Sequence, residues 1–375
     1  MRSSIPTSMR QCARLSDSAA MLSRAPTVEL MASLAGRPPK NLDWPGVIAI
    51  ANRTLTTGTL ARRQQVDRSM ALPQDVADFL AAVDERALER DRRMRDQLAE
   101  AVTCLNGAEI TPILIKGAAM LAMPGLDARG RILSDLDIMV PPSALARAGD
   151  ALGRIGYVRQ IQLSDPTVAH IFARTRDAGT IDLHYRLKAP RPRFEFARLA
   201  SFCIPVKVGT GEALLPSPTA QTLILVLHDQ LKDRDYWRGL VDLRHVLDIA
   251  ALARTAEGID WDQLLSWFPE RQPRTALRTQ LVTIEALLGI GVPPRLIKGW
   301  WPRMQHRRRM VQLDWPALGP IFTLLTLALD PPRYGWRTRG GNAKSLRETG
   351  KAKSMFARAI TGFKRLQRSK APGKL

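Results

Sequence analysis

Asp135 and Asp137, in the run Ser134-Asp135-Leu136-Asp137, have the type and spacing that most directly suggest chemistry. They open an apolar stretch, Leu136 to Val140, which reads as a strand closed by Pro141-Pro142. Side chains alternate along a strand, so both carboxylates leave from one face and Leu136 from the other. Two neighbouring carboxylates repel and raise each other's pKa. A divalent cation removes that penalty, and an oxygen-only ligand set favours Mg2+ or Mn2+ over zinc. Asp182 adds a third carboxylate, in Gly179-Thr180-Ile181-Asp182-Leu183-His184. Flanked by Ile and Leu in a strand, it must be paired, coordinated or protonated. It either completes a metal site with the acid pair or forms an ion pair with Arg186 or Arg131.

Lys116-Gly117 supplies the complementary charge. It stands where an apolar run, Ile110 to Ile115, hands over to a short helix. Glycine allows close backbone approach, and a lysine at a helix start favours phosphate. A Lys-Gly ending a strand, an acid pair opening a strand and a third acid in a hairpin together point to phosphoryl or nucleotidyl transfer. In such a site metals clamp the attacking and leaving oxygens while basic groups hold a triphosphate. Ser134, Arg131 and His184 join Lys116 and Gly117 as expected ligand-binding residues; His184 lies on the same strand face as Asp182.

The elements that must position these residues can be read in outline. Val28 to Gly36 predicts a short helix, and Asp43 with Pro45 predicts the start of another. From 75 to 105, apolar residues recur every three or four positions, so a long amphipathic helix is expected there. Its charged positions, such as Asp84, Arg90 and Arg93, are expected to form a solvated face. A helix over 143–155, strands over 157–163 and 170–175, and a turn at 176–179 follow. The turn brings 180–184 back as the second arm of a hairpin. Helices are expected over 219–232 and 240–253, with more to about residue 300. Along the helical part, Asp242, Arg244 and Trp237 are candidates for a nucleotide or acceptor wall.

Composition bounds the setting. The chain has 375 residues, 56 Lys and Arg and 35 Asp and Glu, a formal charge of +21. That length suits two or three domains at about 150 residues each. Cys12, Cys104 and Cys203 form no CxxC pair, which excludes a disulfide scaffold and a cysteine-rich zinc module and suits a reducing, cytoplasmic setting. No apolar run reaches the ~18–20 residues of a membrane span. Residues 317–329 are expected to be a buried helix. Residues 301–375 hold 17 Lys and Arg against 3 Asp and Glu. The end of the chain is therefore expected to be a disordered basic tail able to contact nucleic acid or an anionic surface, with a basic helix over 351–369.

The motifs ILIKGAAML, RILSDLDIMV, TIDLHYRL and LILVLHDQLKDRDYWRGLVDLRHVLDIA occur in that order. In this the chain resembles the bacterial uncharacterised nucleotidyltransferase family of the DNA polymerase β-like superfamily, from about Thr27 to about Arg295. The resemblance implies an α+β fold. A small mixed sheet would form the nucleotidyltransferase core over 108–215. Around that core, composition and periodicity predict a disordered extension over 1–26, helices over 27–107, a helical domain over 216–330 and a basic tail over 331–375. It implies that Asp135 and Asp137 are the metal pair, that Asp182 is the third acid, which helps deprotonate the attacking hydroxyl, and that Gly117 is the phosphate-approach residue. Where the superfamily commonly has Gly-Ser, this chain has Lys-Gly. The implied activity is Mg2+- or Mn2+-dependent transfer of an NMP from an NTP to a hydroxyl of an unidentified acceptor (small molecule, sugar, peptide, protein or RNA), with release of pyrophosphate. The alternative is a non-catalytic nucleotide or nucleic-acid binder on the same fold.

Overall fold

Helices α1 (Arg24–Leu34), α2 (Trp44–Arg53) and α3 (Thr57–Val66) precede the long helix α4 (Gln74–Gly107) in the computed structural model, which describes residues 24–66, 72–160, 169–187, 194–332 and 373–375. Helix α2 starts as expected: the Asp43 carboxylate accepts from the Gly46 N–H at 3.2 Å, with Pro45 in the first turn. The chain continues through β1 (Ile113–Leu114), α5 (Lys116–Ala122), β2 (Asp135–Met139), α6 (Leu145–Arg154), β3 (Val158–Arg159), β4 (Ala169–Ala173) and β5 (Thr180–His184). It then forms α7 (Phe196–Ala200) and the hairpin β6 (Cys203–Val208) and β7 (Gly211–Pro216).

The strands make one mixed sheet in the order β3-β4-β5-β2-β1-β7-β6. This is the expected α+β core. Strand β1 is shorter than the run 110–115 suggested, because it needs only two residues to bridge β2 and β7. Strands β4 and β5 pair antiparallel across the expected turn, and β5 runs parallel to β2. Leu136, Ile138, Met139, Ile181 and Leu183 are fully buried, which fixes the faces of both strands. Residues 1–23 of the extension expected over 1–26, residues 161–163 of the strand expected over 157–163 and the basic helix expected over 351–369 lie outside the described residues, while residues 24–26 open α1.

Helix α4 buries Leu80, Met94, Leu98, Val102 and Leu105 as its spacing predicted. Its charged side is not simply solvated. Arg90 donates to the Leu133 carbonyl from Nε at 2.9 Å and from Nη2 at 2.7 Å. Asp84 and Asp91 are buried too, facing Arg62 at 3.6 Å and Arg95 at 2.8 Å respectively. Gln97 brackets Gly179, donating to its carbonyl at 2.9 Å and accepting from its N–H at 3.3 Å. One helix therefore braces the starts of both acid-bearing strands. Gly179 has no room for a Cβ, which would run into the Ser134 carbonyl and Met94.

The remaining helices are α8 (Pro218–Val226), a π-helical turn (Leu227–Lys232), α9 (Asp235–Arg238), α10 (Leu243–Ala253), α11 (Trp261–Ser266), α12 (Arg271–Leu288), α13 (Pro294–Ile297), α14 (Trp300–Asp314) and α15 (Gly319–Leu329). The helix expected over 219–232 thus changes pitch at Leu227, and the other expected over 240–253 starts at Leu243, capped by Asp242. Arg309 is buried on α14 and donates to Gln230 of the π-helical turn at 2.6 Å and to Thr283 of α12 at 2.9 Å. Helix α15 departs from the expectation of burial. Thr323, Thr326 and Leu327 face inward, while Ile321, Leu325 and Leu329 are more than half exposed. No helix among the described residues is long and apolar enough to cross a membrane.

Candidate active site

The register of β2 against β5 places Asp137 directly beside Asp182, and Asp135 beside Thr180. The three carboxylates therefore sit along two adjacent parallel strands, as the two-residue period of each strand requires. Met139 pairs with His184, but the His184 ring turns back along the strand. Its Nε2 lies 2.8 Å from Asp137 Oδ1. Ligand atoms of Asp137, Asp182 and His184 all fall within 4.8 Å of one another.

Lys116 is the first residue of α5, with a φ of +50° that an L-residue seldom adopts. Gln221 of α8 holds that backbone by donating to the Lys116 carbonyl at 2.8 Å. The ammonium points at the acids, with Nζ 2.6 Å from Asp137 Oδ1. Burial opposes its charge, but Asp137, with Asp135 and Asp182 behind it, outweighs burial and raises its pKa. Burial likewise works against the Asp137 carboxylate. Lys116 and His184 more than offset that and hold Asp137 below the usual carboxylate range. His184 is shifted down by burial, against the pull of Asp137. A neutral ring beside an ionised carboxylate must carry its proton on Nε2 to make this contact.

Asp182 behaves oppositely to Asp137. Burial, then the negative charges of Asp137 and Asp135, push its pKa up to about 7. Three clustered carboxylates with the Lys116 ammonium seated on one of them carry an excess of negative charge. The donor set is one that a divalent cation fits, and the Lys116 ammonium stands in for part of its charge.

Lys116, Gly117, Ser134, Asp135 and Asp137 form one side of a cleft of about 240 Å³. Residues of the helical part form the other: His228, Asp233, Arg238, Asp242, Arg244 and His245, with Lys374 from the far end of the sequence. Of the three residues expected to wall in a nucleotide or acceptor, Asp242 and Arg244 line this cleft and Trp237 does not. That ring is buried, and its Nε1 donates to the Asp330 carbonyl at 2.8 Å. Ser134 lines the cleft, and its hydroxyl donates to Asp135 Oδ1 at 3.0 Å.

Two of the expected ligand-binding residues also have structural partners. Arg131 lines the cleft but gives its guanidinium to Asp248 of α10, with Nε and Nη2 each 2.7 Å from a carboxylate oxygen. A Cβ on Gly117 would collide with Leu133, and Arg131 Nη1 would be 3.0 Å away. Its small size is demanded by the close approach of the 131–133 segment.

The family model of uncharacterised nucleotidyltransferases matches residues 40–289, which includes every one of these acids and the helices opposite them. The chain belongs to that family. This nucleotidyltransferase has no match among curated protein sequences. Among solved structures it is similar to the solution structure of the antibiotic-resistance factor ANT(2'')-Ia. The TM-score is 0.36 and the identity 12%, over 52% of this chain and 97% of that one.

Sequence reasoning missed Asp233, His245 and Lys374 as cleft residues, and Arg90, Gln97 and Gln221 as supports. Asp233 and His245 fall within a motif that the family resemblance had already singled out. The supports act across more than 40 residues of sequence and carry no local pattern.

Proposed function

We propose that this nucleotidyltransferase moves an NMP from an NTP to a hydroxyl of an acceptor, with Asp135, Asp137 and Asp182 holding Mg2+ or Mn2+. The observation that carries this reading is the Asp137–Asp182 register, with Asp135 on the same strand face and Lys116 bonded to Asp137. When bound, the cation supplies charge to the phosphoryl oxygens and ends the repulsion among the carboxylates.

The chain's own groups do the rest. Lys116 directs a charged ammonium into the phosphate side of the cleft. His184 fixes Asp137 by hydrogen bonding. Asp182, beside Asp137 across the strand pair, takes the proton of the acceptor hydroxyl as its oxygen bonds to the α-phosphorus. The bond from that phosphorus to the bridging oxygen breaks, and pyrophosphate leaves. The helical wall from His228 to His245 faces the acceptor.

Incubation with α-labelled NTPs, Mg2+ and a cell extract is expected to label an acceptor. Asp135→Asn is expected to abolish labelling while leaving the circular dichroism spectrum unchanged. Equal labelling by the variant overturns the assignment. Separately, NTP is expected to raise the Tm only when Mg2+ or Mn2+ is present. Stabilisation that is the same in EDTA would favour a nucleotide binder without catalysis.

A further inference from the structure

Lys374 lies 139 or more positions beyond the acids of one tight cluster, yet it is among the most enclosed lysines of the described chain, with a side chain only 6% exposed. Its Nζ is 2.5 Å from Asp235 Oδ2, 3.0 Å from Asp233 Oδ2 and 3.9 Å from Asp229 Oδ1. Its neighbour Leu375 exchanges two backbone hydrogen bonds with Val241, at 3.0 and 3.1 Å. The three carboxylates come from separate places. Asp229 belongs to the π-helical turn, Asp233 follows that turn, and Asp235 opens α9; Val241 lies just before α10. Between Asp233 and Asp235 the backbone passes through Arg234 at a φ of +65°. The elements joined are those that present His228, Asp233, Arg238, Asp242 and His245 to the cleft.

The charge arrangement gives the lysine more to do than fill space. Asp229 and Asp235 are essentially without exposure, and each has one carboxylate oxygen that finds no hydrogen-bond donor. Asp229 Oδ1 is shared by His245 Nδ1 at 2.8 Å and His228 Nδ1 at 3.3 Å. The Lys374 ammonium thus approaches all three of these mutually repelling acids, behind the two histidines.

We propose that Lys374 is a positioning residue of the nucleotidyl-transfer site, a clasp that holds the π-helical turn and α9 in the arrangement that presents the acceptor-facing wall. This rests on the transfer reading above, since it assigns that wall to the acceptor. Lys374 does not touch the Asp135, Asp137 and Asp182 cluster, so the clasp serves acceptor placement rather than the triphosphate.

The test compares full-length Lys374→Met and Lys374→Arg with the wild type. Three quantities are measured: label transfer from α-labelled NTPs into a cell extract, NTP affinity in Mg2+ by calorimetry, and the His228 imidazole titration by NMR. Lys374→Met is expected to lose at least tenfold in transfer while NTP affinity stays within about twofold. Burial, then the charges of Lys116, Lys232 and His245, hold the His228 pKa down and Lys374 adds to them, so its loss is expected to move the His228 titration to higher pH. Lys374→Arg is expected to restore most of the transfer. If Lys374→Met does not fold, Lys374→Met with Asp235→Asn, which removes one buried acid along with the cation, carries the same expectation. An equal loss of NTP affinity would make Lys374 a general structural residue and overturn the proposal. Transfer at or above the wild-type level would also overturn it, the latter marking the segment as an obstruction. If the wild type itself transfers no label, the transfer reading fails. The His228 titration then still judges the clasp, and an unmoved titration rejects it.

Discussion

Replacing Asp182 by Asn is expected to make the metal-free protein more stable above pH 7 while nearly eliminating transfer. The pKa of this carboxyl is pushed from 3.8 to about 7 in the folded chain, by burial and by the charges of Asp137 and Asp135. Between those two values the unfolded chain has lost a proton that the folded chain still holds. The resulting stabilisation is fully present below pH 4, declines as pH rises toward 7, and is absent above it. At about 1.4 kcal/mol for each pH unit separating the two states, the loss is on the order of a few kcal/mol. Asn cannot ionise, so the variant escapes it. Urea unfolding in EDTA at pH 4 and at pH 8.5 measures the difference. The two proteins are expected to be similar at the lower pH, and the variant ahead at the higher. Parallel pH dependences would show that Asp182 is not the strained carboxyl. The cost is functional: on the proposed transfer mechanism the variant loses both a metal ligand and the hydroxyl's proton acceptor, and transfer is expected to fall by at least about 10²-fold, the lower end for a general base.

That combination explains why the acid cluster could be recognised in the sequence. Three carboxylates with apolar neighbours in predicted strands conflict with burial unless something else needs them, and a fixed side-chain period of two tells which of them share a face. What the period cannot give is pairing. That Asp182 stands beside Asp137 depends on β5 lying against β2 in parallel, with 44 residues between the first residues of the two paired strands. The family motifs anticipated this juxtaposition where local pattern could not. The hairpin of β6 and β7 had a usable signal, since Gly209-Thr210 separates two extended runs. Helix α15 shows the opposite failure. A continuous apolar run does not reveal how much of its circumference is covered, and here one side remains exposed. Arg131 and Lys374 show a third. A buried cation takes its role from whichever carboxylate tertiary structure brings to it, and neither Asp248 nor the acids around Lys374 stand near their partners in sequence.

Arg131 provides the sharpest division between binding and architecture. Its side chain and that of Asp248 are 10% and 4% exposed, and the guanidinium is spent on a two-pronged pair that ties the segment before β2 to α10. Arg131→Met alone should strand the Asp248 carboxylate in a low-dielectric site and cost about 3–5 kcal/mol. Arg131→Met with Asp248→Met removes both charges and should recover most of that loss, because replacing a buried pair with packed apolar groups is often neutral. A double-mutant cycle by urea unfolding measures the recovery. The double variant also separates the two roles that sequence left open. If Arg131 only clamps, its affinity for NTP in Mg2+ stays within a few-fold of the wild type. If the guanidinium leaves Asp248 to grip the triphosphate, the double variant regains stability yet loses more than tenfold in NTP affinity, since no second bidentate donor takes its place. The geometry favours the clamp: both contacting nitrogens are already engaged, and the partner sits on a helix whose neighbouring residues Asp242, Arg244 and His245 line the same cleft.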